Sequence, residues 1–348
     1  MKTSGTLVLL LLFVFKLYPQ EEKKNSPVRT MFYNVENLFD TFNDTLKDDE
    51  EFLPEGSRRW NKFRYKEKIN SLYKVITAAG GWTPPDIIGM CEVENRKVLD
   101  DLFNGTYLSY YNYGIIHEES PDLRGIDVAF IYRKDVVSVI DHRSWIPATK
   151  EGESFRTRSV LFAKCRIYDD TICFIINHWP SRRGGVLAGE NMRMAIAAMV
   201  RSAADSLAGL TAGRSKIIIM GDFNCTPDDS AIRILTGPSE SGKINEPFLA
   251  NLALPDRSSI PGTYRFQGTW ELLDQMIVST WLLKSAYGLY TEKKLFRIFK
   301  DGFLLKSDGS YPGVSPFPTY RGYKYQGGYS DHLPVLLDLL VHKKSDGG

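Results

Sequence analysis

The 348-residue sequence predicts an α/β protein in which two β-sheets pack together with helices on their outer sides. Continuous apolar runs such as "KIIIM" at 216–220 read as strands covered on both faces, not strands half exposed to water. Strand-forming runs come in consecutive clusters interrupted by a few helical segments, the order expected of packed sheets with outer helices. A composition of 43% hydrophobic and 25% charged residues is that of an ordinary globular chain. The formal net charge of +2 argues neither for nor against a nucleic-acid partner, since a local basic patch can sit inside a neutral total.

The N-terminus stands apart. Residues 1–20 place Lys2 before an apolar core at 7–15 and a polar stretch after it, the order of a secretory signal. The core is too short to span a bilayer comfortably. A cut near 18–21 is expected, with export to the periplasm or beyond and no stable membrane association afterwards; an uncleaved anchor is the alternative. Cleavage removes Lys2 and Lys16, so the 44 basic residues fall to 42, matching the 42 acidic ones.

Residues 28–342 then read as one domain. "VRTMFYNV" forms the first strand. "FRYKEKINSLYKVITAAGG" has apolar residues at helical spacing and stops at a Gly pair. "DIIGMCEVE" is the second strand, and "GIDVAFIYR", "VVSVIDHRSWI", "SVLFAKCRIY" and "TICFIINHW" follow at close intervals. "ENMRMAIAAMVRSAADSLAGL" is the strongest helix. "KIIIMGDFN", "LLDQMIVS" and "LPVLLDLLV" complete the strands, and residues 291–328, rich in Gly, Pro and Tyr, read as irregular loops.

Four cysteines in an exported chain raise the question of disulfides. Cys165 and Cys173 flank a predicted hairpin, where one residue of register decides whether they meet. Cys91 and Cys225 read as buried free thiols.

The functional signal lies where polar residues fall. Asn34, Glu92, His178, the Asp222–Asn224 pair, Asp274 and the Asp331–His332 pair stand at or beside six strand ends. Each alone reads as a turn former, a cap or a satisfied imidazole. Together they offer carboxylates, carboxamides and imidazoles, which suit a hard divalent cation with acid–base chemistry. No HExxH, CxxC pair, Gly-rich phosphate loop or GxSxG elbow is present. Oxygen donors without thiolates favour magnesium, manganese or calcium over zinc.

"YNVENLFD", "DIIGMCEVEN", "INHWPSRRGG", "GDFNCTPDD", "LLDQMIVS" and "SDHLPV", in this order, resemble the successive signatures of the endonuclease/exonuclease/phosphatase superfamily. The resemblance spans about residues 28–341. It implies a four-layer αββα sandwich of two mixed sheets and a metal-dependent phosphoesterase site at one end of them.

The resemblance also implies roles. Asn34, Glu92 and Asp331 lie on the metal side, with Mg2+ expected and Mn2+ or Ca2+ possible. Glu94 is a rival to Glu92, expected to face the same way one step further along the strand. Asp222 and Asn224 orient or deprotonate the attacking water, His178 hydrogen-bonds a phosphoryl oxygen, and Asp274 fixes and charges His332 at the scissile phosphate. Arg158, with its neighbour Arg156 as a rival, and Arg182 and Arg183 are candidate phosphate contacts.

The reaction expected is in-line attack by water, and the first expectation is a secreted, monomeric nuclease acting on DNA or RNA. "PSRRGG" after His178 and "SRRW" at 57–60 supply arginines, the latter beside an aromatic, as a workable nucleic-acid surface. A phosphatase or phosphodiesterase for inositol phosphates or phospholipid head groups is the alternative, and a catalytically inactive binding module on the same fold the second. Net neutrality argues against avid DNA binding, which a fast degradative enzyme does not need.

Overall fold

The structure, a computed structural model, describes residues 26–148, 152–182, 189–237, 248–253 and 260–342. The expected signal segment and Arg183 lie outside the described residues.

One sheet has seven strands. Its order is β13 (Leu289–Tyr290), β19 (Val335–Val341), β1 (Val28–Leu38), β2 (Ile87–Val93), β4 (Asp127–Arg133) and β3 (Tyr113–His117), with β14 (Phe296–Ile298) also pairing β19. The other has six, in the order β5 (Val137–Trp145), β6 (Val160–Ile167), β7 (Asp170–His178), β8 (Lys216–Asp222), β12 (Asp274–Ser279) and β9 (Leu249–Asn251). Both are mixed: β1 and β2 run parallel in the first, β7 and β8 in the second, and their other pairings are antiparallel. Three short hairpins decorate them: β10 (Tyr264–Phe266) with β11 (Thr269–Glu271), β15 (Leu305–Ser307) with β16 (Val314–Pro316), and β17 (Tyr320–Arg321) with β18 (Lys324–Tyr325).

The sheets face one another. Phe32, Cys91 and Phe130 of the first pack with Ile176, Met220 and Met276 of the second in one buried cluster. Helices α1 (Lys62–Gly80) and α2 (Arg96–Phe103) cover the outer face of the first sheet, sharing a core with Met31, Ile88 and Ile131. Helix α3 (Glu190–Gly209) and the short α4 (Ser230–Thr236) cover the second, and α5 (Thr280–Lys284) follows β12. Small residues explain the strong α3 signal: Ala197, Ala204 and Ala208 let the helix settle onto Ile175, Ile217 and Ile219. The four layers are those the sequence predicts.

Local chemistry sets the boundaries. Asn61 starts α1 by accepting hydrogen bonds from the Phe63 and Arg64 amides. Helix α2 was not anticipated: only eight residues long, it is announced chiefly by Asn95, which caps the Val98 amide. Residues 291–328 hold strands of two or three residues, yet they are anchored, since Tyr320 and Thr319 are buried.

The cysteine question is settled by register. Cys165 faces Ile172 and Cys173 faces Lys164, so the thiols point to opposite sides of the sheet. Cys165 joins the inter-sheet core, Cys173 the core under α3, and all four cysteines are free and buried.

Candidate active site

Three strands carry one polar rung. His178 of β7 pairs with Asp222 of β8, which pairs with Asp274 of β12. Each stands two residues from an inter-sheet core residue (Ile176, Met220 and Met276), so strand alternation points all three into the space between the sheets. Asn34 holds the same relation to Phe32 on β1. At this end of the sandwich the apolar core gives way to acids and imidazoles.

Glu92 reaches the site by another route. Cys91 faces the inter-sheet core, so strict alternation would turn Glu92 to the outside. Instead β2 bulges between Cys91 and Val93, and Glu92 takes a left-handed φ of 61°. Its carboxylate thereby accepts from Asn34 Nδ2 at 3.3 Å and from the Asn37 amide at 3.0 Å. The bulge also corrects the expectation for Glu94, which does not share Glu92's direction but accepts from the Asp40 amide at 2.6 Å.

Asp331 and His332 lie on the bend before β19. The Ser330 hydroxyl fixes it, donating to the Asn34 carbonyl at 2.8 Å and accepting from the His332 amide at 3.1 Å. A bridge between Tyr264 and His332 closes the other side, with their rings 4.8 Å apart. His332 Nδ1 lies 2.6 Å from Asp274 Oδ2, and its Nε2 lies 3.8 Å from Asp222 Oδ2. Burial opposes a charge on this imidazole, but Asp274 and Asp222 outweigh it and hold His332 protonated well above the usual range.

The two imidazoles are opposites. Burial, reinforced by Arg158 and Arg124, pushes His178 well below the ordinary histidine value. Arg158 Nη2 stands 3.2 Å from His178 Nε2, and a guanidinium can only donate, so Nε2 accepts and the proton sits on Nδ1. Arg158 also donates to Asp122 at 3.2 Å and to the Trp179 carbonyl at 2.8 Å.

Asp222 is held from two sides. Its Oδ2 accepts from Asn34 Nδ2 at 3.0 Å and its Oδ1 from the Asn224 amide at 2.9 Å. Burial, with Asp274 nearby, outweighs His332 and raises Asp222 to about 6. Glu92 moves the other way: burial would raise it, but Arg124, His332 and Asn34 together hold it below the ordinary value. Asn224 anchors its side chain on the Trp179 carbonyl at 3.0 Å. Arg182 donates to the Asn224 carbonyl at 3.1 Å, while Asp229 at 2.6 Å and Glu271 at 3.1 Å hold its guanidinium.

Asn34, Glu92, His178, Asp222, Asn224, Asp274 and His332 are thus linked by contacts of 3.8 Å or less, and Arg158 joins them. Asp331 adjoins the group on the Ser330–His332 bend. In "SRRW" the aromatic is not a surface group, because Trp60 is fully buried and donates to the Phe39 carbonyl, and Arg58 lies over Tyr320 instead.

Sequence reasoning missed Glu36, although it lies inside the quoted "YNVENLFD". Its buried carboxylate accepts from the Thr319 amide at 2.6 Å and the Tyr320 amide at 2.9 Å, pinning the 319–320 segment over the site. Burial, then Asp331, raises Glu36 to about 8, and burial brings its neighbour Lys68 down to about 8. Glu36 and Asn37 both have positive φ, a conformation that Asn favours but that a Glu does not announce.

The donor set fits a hard cation. Among the described residues no Lys or Arg comes within 4.0 Å of Glu92, whose carboxylate accepts two hydrogen bonds and lies in the field of Arg124 and His332. Donor atoms of Asp222, Asp274 and His332 lie within 4.8 Å of one another, but the tight His332–Asp274 pair uses two of them on each other. Glu92, Asn34 and Asp331 could hold a cation there, Asn34 through an Oδ1 that already accepts from the Glu36 amide at 3.0 Å.

A mixed-sheet sandwich with an acid–imidazole centre at one end defines a class of hydrolases, and comparison with known proteins names it. The profile of the Endonuclease/Exonuclease/phosphatase family matches residues 29–341. The chain belongs to this family, whose members are phosphoesterases and generally use divalent metals. A mannosyl-6-phosphatase from Bacteroides thetaiotaomicron is similar at a TM-score of 0.56 and 15% identity, covering 90% of this chain and 99% of that one. TDP2 of D. rerio complexed with single-strand DNA product gives 0.56 and 12%, covering 90% and 99%. The human Nocturnin catalytic domain with bound sulfate gives 0.53 and 16%, covering 91% and 94%. At these identities the likeness shows the fold. No curated protein sequence matches the chain significantly.

Proposed function

We propose that residues 28–342 form a divalent-metal-dependent phosphodiesterase, a nuclease exported after loss of the first twenty or so residues. The observation that carries the phosphoesterase reading is the charged His332–Asp274 pair facing Asp222 and Glu92 across the end of the sandwich. Glu92, Asn34 and Asp331 would hold the cation, with Mg2+ first and Mn2+ or Ca2+ as substitutes. Bound there, it supplies charge to polarise the phosphoryl oxygens and stabilise the leaving oxygen.

The chain's own groups carry the proton transfers. Asp222, raised to about 6, is ionised at neutral pH yet basic enough to take a proton from the attacking water. Asn224 orients that water. The water oxygen bonds to phosphorus as the ester P–O bond opposite it breaks, and His332 donates to the charge gathering on the phosphoryl oxygens. Charged Arg158, held by the Nε2 of neutral His178 and by Asp122, supplies a further phosphate contact. A thiol nucleophile is disfavoured, since burial pushes Cys91 well up and Cys225 to about 11.

A nucleic-acid substrate is supported by a cleft of about 350 Å³ beside Asp331 and Asn37. Arg58, Arg321, Tyr264, Tyr320 and the half-exposed Phe266 line it, an arginine–aromatic mixture suited to a nucleotide next to the cleaved bond. The fold it shares with DNA-bound TDP2 agrees with this reading; the shared fold of the mannosyl-6-phosphatase supports the alternative of a small phosphomonoester.

The test is a panel of plasmid DNA, single-stranded DNA, RNA, sugar and inositol phosphates and sphingomyelin, each in Mg2+, Mn2+ or EDTA. Metal-dependent cleavage of a nucleic acid is expected. Hydrolysis of a small ester alone would overturn the nuclease assignment, and no hydrolysis at all would overturn the phosphoesterase one. Export is read from the mature N-terminus by mass spectrometry, where Met1 would refute cleavage.

A further inference from the structure

The β10–β11 hairpin has two unlike faces. Arg265 and its cross-strand partner Trp270 share one, with the guanidinium 5.9 Å from the centre of the indole. Arg265, its side chain 6% exposed, bolts that face to the domain. It donates to Asp308 at 3.2 Å, to the Val314 carbonyl at 2.9 Å and to the Pro312 carbonyl at 2.7 Å. Side-chain alternation puts Tyr264 and Phe266 on the opposite face. Glu271, paired with Tyr264, lies on it too and holds Arg182, which reaches the Asn224 carbonyl. This second face therefore looks onto the catalytic centre.

The Tyr264 ring lies 4.8 Å from that of His332, and Phe266 follows two residues on, about 7 Å further along the strand. Phe266 is 54% exposed, yet its backbone is fixed. Gln267 at φ 47° and Gly268 at φ 84° close the hairpin in two residues, with Phe266 paired to Thr269. A lone exposed Phe would carry little, since single apolar side chains are common on surfaces. This one lines the cleft of about 350 Å³ beside Asp331. The 319–321 segment, which also lines that cleft, is fixed as well. Glu36 accepts from its Thr319 and Tyr320 amides, and the buried Lys68 ammonium donates to the Thr319 hydroxyl at 2.6 Å. Asp308 is covered by Arg265 at 3.2 Å and Arg321 at 3.5 Å, so two guanidiniums outweigh one carboxylate there.

We infer, resting on the nuclease reading, that this cleft takes one unpaired nucleotide next to the scissile phosphate, with its base stacked on Phe266. The enzyme then cuts single strands in preference to duplexes. Every base offers a π-face, so a platform of this kind tolerates any sequence. In a duplex the faces of each base are covered by its neighbours, and the base must leave the stack before Phe266 can touch it. Because the hairpin is already bolted in place, little freedom is lost when the base arrives. Phe266 is thus a specificity residue, distinct from the groups that transfer protons.

The experiment measures kcat/KM of the full chain in Mg2+ on one sequence as single-stranded DNA, single-stranded RNA and duplex DNA, and on bis-p-nitrophenyl phosphate. Wild type, Phe266→Ala, Phe266→Leu and Phe266→Trp are compared, each nucleic-acid value divided by the same protein's value on the small diester. Wild type should cut a single strand at least about tenfold more efficiently than the duplex, whose bases must first be unstacked. Phe266→Ala should lower the single-strand ratio by about 5- to 150-fold, the range of one base–aromatic stack. Phe266→Leu should lose most of it too, and Phe266→Trp should keep it. Leu fills similar space without a π-face, so that variant decides the matter should Phe266→Ala fold poorly. Equal cutting of single strand and duplex, or a ratio unmoved in Phe266→Leu, would overturn this inference and leave the nuclease reading standing. Hydrolysis of the small diester with no cleavage of any nucleic acid would overturn both.

Discussion

His332 and Asp274 meet at 2.6 Å across the two sheets, one on the bend leading into β19 and the other at the start of β12. Asp274 is fully buried and His332 is 6% exposed, so the pair also fastens the sheets together at the site. The imidazole's charge therefore depends on how the sheets sit against each other.

Asp274→Asn should leave the imidazole in place but remove the charge that keeps it protonated. Turnover should fall less than on loss of His332, and the basic limb of the pH–rate profile should move to lower pH. A profile with an unmoved basic limb would separate Asp274 from the proton on His332.

Asp222 sets the acid limb. With its carboxyl raised to about 6, kcat/KM should climb about tenfold per pH unit below that value and level off above it. The linked stability has a definite sign. A carboxyl whose folded value lies above its ordinary 3.8 contributes stability below 3.8 that is lost as pH rises through about 6. His332, also raised, contributes below its ordinary 6.5 and loses that contribution as pH climbs through its folded value. The check is kcat/KM against pH; an acid limb unchanged in Asp222→Asn would remove Asp222 from the role of base.

Glu92→Gln preserves shape and removes charge. The Mg2+ concentration for half-maximal activity should rise at least about tenfold, the change expected when a hard ion loses an anionic ligand. Titrating activity against Mg2+ at saturating substrate measures it, and an unchanged midpoint would contradict the assignment.

Glu36→Ala should cost stability rather than chemistry alone. It strips two buried amides, Thr319 and Tyr320, of their acceptor. A loss of about 2–6 kcal/mol is the scale for leaving two buried amides without an acceptor. Urea unfolding reads it, and a loss within about 0.5 kcal/mol, the range of an ordinary surface change, would show that the clamp carries no load.

The sequence was most legible where alternation and burial coincide. Runs such as "KIIIM" announce strands covered on both faces, and the rung of His178, Asp222 and Asp274 simply continues the inward-facing positions of three such strands. Legibility ended where the backbone leaves the regular pattern. Alternation would have sent Glu92 outward, and only the family resemblance put it in the site; the left-handed φ that turns it back is not written in a Glu. The same bulge undid the expectation that Glu94 would follow it. Trp60 and the cysteine pair depended on tertiary position and register, which local pattern does not encode. Arg158 came only through the family resemblance, and the ties of Arg182 to Asp229 and Glu271 were not legible, because they join distant segments.

The central claim is tested most directly by the initial rate of bis-p-nitrophenyl phosphate hydrolysis at saturating Mg2+, for wild type and for His332→Gln. Gln fills the space and retains a neutral donor, so folding is kept closer to wild type than with Ala and is checked by melting in the same buffer. Wild type should turn over in Mg2+ and stop in EDTA, and the folded variant should be slower by about 10²–10⁴-fold. A folded His332→Gln protein hydrolysing the diester at the wild-type rate would contradict the account.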